Sequence, residues 1–219
     1  EENAFLQSEV NRLLVETVRL KELELENRRL RDLLNYTQNN PDFDYTAASV
    51  VGTVIGAEPG NLIYTLFIDV GARDGIAAGM PVVTQRGLVG RVVQVGPNSA
   101  RVLLIIDPAS SVNALIQSSR VHGIIRGELG GSLVMERIPQ GETVTPGDLV
   151  LTSGLGGAFP DKVVIGQITE VFQRDLDLFQ SARVRPTVDF ASLETVLVLT
   201  AFEPIDLEQE LLSAPEGQN

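Results

Sequence analysis

The sequence predicts a mainly β protein headed by one long N-terminal α-helix, its β part built as closed or sandwiched antiparallel sheets. Three observations carry this. Residues 1 to about 36 contain neither Gly nor Pro and space their leucines by heptads. From Ala47 to Ala201 the pattern changes to about eleven short β-rich runs separated by glycine turns, with no long helix between them. Within that β region a motif, Ser-Ala-Arg-Val leading to Asp, Ala and Ser, occurs twice.

The helix comes first. Leu6, Val10, Leu13, Thr17 and Leu20 follow steps of four and three, and Leu23, Asn27, Leu30 and Leu34 continue them after one extra step of three. That insertion is a stammer, which locally overwinds a coiled coil. Eight acidic and six basic residues among the first forty fill the flanks. Asn27 falls at an a position, where a polar side chain fixes register and favours two parallel strands. The geometry favours a dimeric coiled coil over the alternative of an amphipathic helix packed on its own domain. The dimer seam is therefore assigned to Leu6, Val10, Leu13, Leu20, Leu23, Asn27, Leu30 and Leu34.

Asn35–Asn40 and Pro41 end the helix, so residues 37–46 read as a linker. The β region then divides by an internal duplication. Ser99-Ala100-Arg101-Val102 leads to Asp107, Ala109 and Ser110, and the same set recurs 82 residues on as Ser181-Ala182-Arg183-Val184, Asp189, Ala191 and Ser192. Upstream, Gly79, Val82, Thr84, Gly87, Leu88, Gly90 and Val95 are echoed by Gly147, Val150, Thr152, Gly154, Leu155, Gly166 and Val171. This describes two similar small β modules that use glycine where a strand bends or turns sharply. The first module is placed at 47–117, completed by 189–202, and the second at 118–188. The final strand, Thr195–Leu199, is expected near the first module. Residues 203–219 form an acidic tail with five acidic and no basic residues, expected to be flexible apart from one or two helical turns over Ile205–Leu212.

Composition removes several functions. The 219 residues carry 29 acidic and 17 basic side chains, a formal charge of −12, which argues against nucleic acid as a partner. There is no cysteine, so disulfides, thiolate zinc sites, iron–sulfur clusters and cysteine nucleophiles are excluded. The longest apolar run, Val102 to Ile106, is far short of the ~20 residues that span a bilayer. The chain starts at Glu1, already inside a helical pattern, which reads as a fragment whose N-terminal anchor has been cut off.

Enzyme chemistry fits poorly, and no cofactor is expected. His122 is the single histidine, and a triad of Asp107, His122 and Ser153 lacks a nucleophile elbow, because Ser153 sits in Thr-Ser-Gly-Leu-Gly-Gly. Asp69 and Asp74 flank a turn without an EF-hand pattern and are assigned to turn formation. Asp175 and Asp177 suggest a glycosidase pair only on paper, since the chain has no Trp platform. Gly154-Leu155-Gly156-Gly157 lacks the lysine and helix of a phosphate loop. Phe159, which closes that loop, either contacts a partner as an apolar knob or plugs the end of its own barrel, the second being favoured.

An ordered set of motifs resembles a known family. Glu26–Leu34 leads into Ile68-Asp69-Val70-Gly71-Ala72-Arg73-Asp74-Gly75-Ile76, Gly79-Met80-Pro81-Val82-Val83, Gly87-Leu88-Val89-Gly90-Arg91-Val92, Val95-Gly96-Pro97-Asn98-Ser99, Gly147-Asp148-Leu149-Val150 and Thr152-Ser153-Gly154-Leu155-Gly156-Gly157. From about Glu22 to Leu199 this series resembles the rod shape-determining protein family MreC. The resemblance implies a coiled-coil helix followed by two small six-stranded β-barrel-like domains. It also implies a non-catalytic scaffold of bacterial cell elongation, periplasmic or extracytoplasmic, anchored by one N-terminal membrane helix missing here. Implied partners are a second copy, higher-order filaments, class B penicillin-binding proteins, and the RodA, MreD and MreB complex. A periplasmic adaptor of an export pump is the alternative, weakened by the single helical arm. An unusual barrel protease would be a third class, testable at His122 and Ser153.

Overall fold

The computed structural model describes residues 2–41, 43–58, 61–128, 130–173 and 177–202. The chain divides after Pro41 into a helical unit and a β unit. The helical unit is α1, Glu2–Asn39, slightly longer than the heptads alone predict. Its last turn closes through the Asn40 amide, which donates to Tyr36 O at 3.1 Å, and through Asn40 Nδ2, which donates to the same oxygen at 2.8 Å. Pro41 follows and cannot continue the ladder. The acidic tail, with Ile205–Leu212, lies outside the described residues, as does Asp175.

The β unit contains twelve strands: β1 (Tyr45–Glu58), β2 (Asn61–Ile68), β3 (Pro81–Thr84), β4 (Gly87–Val95), β5 (Ala100–Leu104), β6 (Ser111–Ile116), β7 (His122–Gly127), β8 (Leu133–Pro139), β9 (Leu149–Ser153), β10 (Asp161–Phe172), β11 (Phe179–Pro186) and β12 (Thr195–Leu199). They close into two six-stranded antiparallel barrels, in the circuits β1-β12-β3-β4-β5-β2 and β10-β11-β8-β7-β6-β9. The first barrel is filled by Leu66, Ile68, Leu88 and Leu104, and the second by Ile116, Ile125, Leu133, Met135, Ile138, Ile165 and Ile168, all essentially inaccessible. A barrel this small has room for side chains and nothing else.

The duplicated sequence maps onto this architecture strand for strand. Gly90 on β4 and Gly166 on β10 mark the places where a neighbouring strand presses closest. An added Cβ would lie 2.0 Å from Leu103 O at Gly90 and 2.3 Å from Arg185 O at Gly166. Leu103 and Arg185 hold the same place after the two Ser-Ala-Arg-Val motifs. Both strands then carry a register shift in the same place, between Val92 and Gln94 and between Ile168 and Glu170.

The strands pass between barrels reciprocally. After β5 the chain crosses at residues 105–110 and β6 pairs with β7 and β9. After β11 it crosses back at residues 187–194 and β12 pairs with β1 and β3. The pairs Leu115–Leu151 and Ile116–Val150 around β6 repeat as Leu197–Val83 and Val198–Val82 around β12. Each six-strand repeat thus keeps five strands and gives its sixth to the other's barrel. Ser111–Ile116, placed with the first module from its sequence, therefore belongs to the second. The period-2 burial pattern of β6 states that it is a strand with one face inward, and that pattern is the same in either barrel.

The barrels also touch directly. Thr187 Oγ1 donates to Arg86 O at 2.7 Å, and Gly87 at the β3–β4 turn leaves no room for a side chain beside Val164 O of β10. Glycine is required there twice over, since its φ is +145°.

Candidate interaction surfaces

On α1, heptad spacing at about 1.5 Å per residue gives a rod of roughly 57 Å carrying apolar side chains with no partner in the helical unit. Val10, Leu13, Leu20, Leu23, Leu30 and Leu34 are 49–57% exposed. Asn27 is exposed in the same row, and Leu6 lies near the start of the helix. Thr17, in the seam, turns its hydroxyl back to Leu13 O at 2.7 Å. The spacing argument missed Leu14, Val15, Val18 and Leu25, which are equally exposed but lie off the a and d rows. A scan of all apolar residues on the helix, rather than of heptad rows, would have found them.

On the second barrel, the glycine loop between β9 and β10 is held from both sides. Asn113 Nδ2 on β6 donates to Leu155 O at 2.9 Å, and the Leu155 amide donates to Ser153 Oγ at 3.3 Å. Gly154, Gly156 and Gly157 all take positive φ, which lets the loop turn back so tightly. Phe159 is 5% exposed and lines a hollow of about 370 Å³ with Phe43 and Phe202. It is therefore not a partner contact on this surface. The outward apolar residue of the loop is Leu155, 56% exposed.

A second apolar cluster lies around the β10–β11 connection. Leu178 is 83% exposed, Phe179 52% and Phe172 37%. Phe179 is paired across the strands with Pro139, and the Arg183 guanidinium sits 5.0 Å from the Phe172 ring centroid while its Nη1 meets Glu170 at 2.7 Å. Gln180, buried beneath, donates to Pro139 O and Glu142 O and fixes the strand ends. Nothing in local sequence marks this patch except the run of Leu and Phe in a hairpin connection.

The residues considered for catalysis are occupied otherwise. Asp107 is 3% exposed, and its two oxygens each accept a backbone amide at 2.7 Å, from Tyr64 and from Ala109. Ser153 Oγ is engaged with its own loop, and His122 is exposed on β7, separated from β9 by β6. Asp74 accepts from the Gly71 amide, the local turn role expected of it, whereas Asp69 accepts from the Ser49 amide twenty residues away and so ties β1 to the end of β2 instead of closing its own turn. At Asp148, burial pushes the carboxyl up, but hydrogen bonds from the Thr145 amide, the Ser118 hydroxyl and the Thr145 hydroxyl outweigh it and hold the group below the usual carboxylate range. Among the described residues no group of three or more acidic or histidine side chains could hold a metal ion, and no helix is long and apolar enough to cross a membrane.

Comparison with known proteins agrees along the chain. The family model described as "Rod shape-determining protein MreC, barrel core" matches residues 54–200. The cell shape-determining protein MreC of Cereibacter sphaeroides is 32% identical over 217 residues, which cover 98% of this chain and 69% of that protein. A solved MreC structure from Listeria monocytogenes is 32% identical with a TM-score of 0.65, covering 93% of this chain and 98% of that one. A chain from a solved complex between a penicillin-binding protein and MreC of Helicobacter pylori shares the fold at 20% identity, with a TM-score of 0.57 and coverage of 72% and 98%. A match spanning both barrels, joined to identity that continues through the helix, leaves one conclusion: the chain belongs to the MreC family of rod shape-determining proteins.

Proposed function

We propose that this chain is the extracytoplasmic body of a membrane-anchored scaffold of bacterial cell elongation, acting by binding and organising peptidoglycan synthases rather than by catalysis. The observation that carries the proposal is the combination of an exposed heptad helix with a closed double barrel in a cell shape-determining family. The helix supplies a two-fold seam through Leu13, Leu20, Leu23, Asn27, Leu30 and Leu34, and each barrel pair supplies a rigid face. The complex known for the Helicobacter pylori protein supports a class B penicillin-binding protein as the partner here. RodA, MreD and MreB join the assembly through that partner or through the anchor. Binding favours whichever synthase conformation the face holds more tightly, and the effect is bounded by that difference in affinity.

The test is direct binding of this chain to the extracytoplasmic part of the same organism's elongation transpeptidase, with the L23E/L30E variant beside it. Saturable binding that weakens in the variant is the expected result. Absence of binding by demonstrably folded protein would remove the synthase-scaffold mechanism while leaving the family assignment in place.

A further inference from the structure

The two crossings between barrels carry the same Asp-x-Ala-Ser motif, yet they are held differently. In the first, buried Asp107 accepts from the Tyr64 amide at 2.7 Å, so its carboxylate bolts the crossing to β2. In the second, Asp189 is exposed and serves only its own turn, accepting from the Ala191 amide at 3.1 Å and the Ser192 hydroxyl at 2.8 Å. This second crossing also borders an open groove of about 470 Å³, shared with Thr53, Tyr64, Ile106 and Gly131. The strand it carries, β12, is followed by no further barrel strand among the described residues. It is attached to the first barrel by the ladder to β1 and β3 and by the burial of Val196–Leu199, and the crossing that leads to it is fastened at its start by the Thr187 hydroxyl on Arg86 O.

We infer that β12 is an exchangeable strand through which two copies of this chain complete each other's first barrel. Each β12 lies between β1 and β3 of the other copy, in the register seen within one chain. The reciprocal gift of a sixth strand by each repeat shows that this seat accepts a strand arriving from a different module. The hinge, residues 187–194, reaches about 27 Å when extended. Every ladder contact is kept in the exchanged pair, so the cost is confined to opening the hinge and joining two chains. Any other contact that holds two copies together raises the effective concentration for exchange. This inference does not depend on the synthase-scaffold reading.

The absence of cysteine makes the test clean. Ser49 and Thr195 face each other across β1 and β12. The adjacent Val50 amide donates to Glu194 O, so Ser49–Thr195 is a pair without mutual hydrogen bonds, with a Cα separation of about 4.5 Å that a disulfide can bridge. The S49C and T195C chains are mixed, unfolded and refolded together over a range of concentrations, oxidised, and mapped by mass spectrometry of unreduced peptides. The doubly substituted S49C/T195C chain reports the seat within one chain, and A47C with L197C provides a second pair in the same register. The expected result is a disulfide that joins position 49 of one chain to position 195 of another, exceeding like-with-like links and rising with concentration. Deleting Ala191–Leu193, which cuts the hinge from eight residues to five and so works against folding back within one chain, is expected to raise the yield further. Links confined to single chains of the double variants, with none across the mixed chains at any concentration, would overturn the inference.

Discussion

Replacing Asp107 by alanine strips both acceptors from the first crossing while leaving its backbone in place. The Tyr64 amide is buried, and losing its partner costs about 1–3 kcal/mol; the Ala109 amide lies at an exposed residue and recovers water, so its loss is about 0.5–1 kcal/mol. The sum, roughly 2–4 kcal/mol, corresponds to a fall of about 5–15 °C in Tm for a protein of this size. D107N keeps one acceptor oxygen and falls about half as far. The companion change D189A removes a cap from an exposed turn and costs about 0.5–1 kcal/mol, a shift of only a few degrees. Thermal unfolding followed by circular dichroism at neutral pH reads all three. Equal shifts for D107A and D189A would refute the distinction between an aspartate that clamps its crossing to a strand and one that serves only its own turn, because the two aspartates hold the same place in the repeat.

Three further outcomes are expected. Leu23 and Leu30 are each about half exposed in the single chain, so pairing buries roughly 1 kcal/mol per side chain. L23E/L30E therefore weakens a dimer by about 4 kcal/mol over four leucines, near 10³-fold in Kd, and sedimentation equilibrium should report monomers at concentrations where the parent is paired. The folded Asp148 carboxyl lies below its ordinary value of 3.8, so its contribution to stability is present above that pH and is lost as pH falls through the folded value. D148N should accordingly be less stable than the parent at neutral pH and converge with it in acid; a pH-independent difference in Tm would contradict the hydrogen-bond account. G90A and G166A each force a Cβ against a strand backbone and should lose about 1–3 kcal/mol, whereas G52A, with open space around it, should be close to neutral in the same denaturant titration.

Much of this was written locally in the chain. The helix follows from a run free of Gly and Pro, and the twin barrels follow from a repeat whose glycines fall where strands crowd. Gly90 and Gly166 could be equated from the sequence alone because a close approach between strands tolerates so few residues. The return of β12 to the first barrel was expected from the sequence, but the destination of β6 could not be read in this way. Alternating burial specifies a face but carries no information about which barrel supplies it, and two modules of one design accept either strand. Phe159 was legible only as a choice between a presented knob and a buried plug, and its burial agrees with the second, favoured reading. It faces a hollow also lined by Phe43 and Phe202, which are far apart in sequence but flank the paired ends of β1 and β12 with their rings 6.4 Å apart. The exposed Leu155, three glycines around it, was hidden within a motif that resembled a phosphate loop.

The pairing of β1 with β12 has a mechanical consequence. Tyr45 and Leu199 are opposite one another, and the Thr200 amide donates to Asp44 O just outside them. A load entering at residue 44 and leaving at residue 200 therefore peels this seam one hydrogen bond at a time instead of shearing the whole ladder together. The second barrel, whose covalent crossings to the first lie inside that seam and which otherwise leans on the β3–β4 turn, stays outside the load path until the seam has opened. Under tension the protein would yield early and in one place, and half of its body would remain folded while it did so.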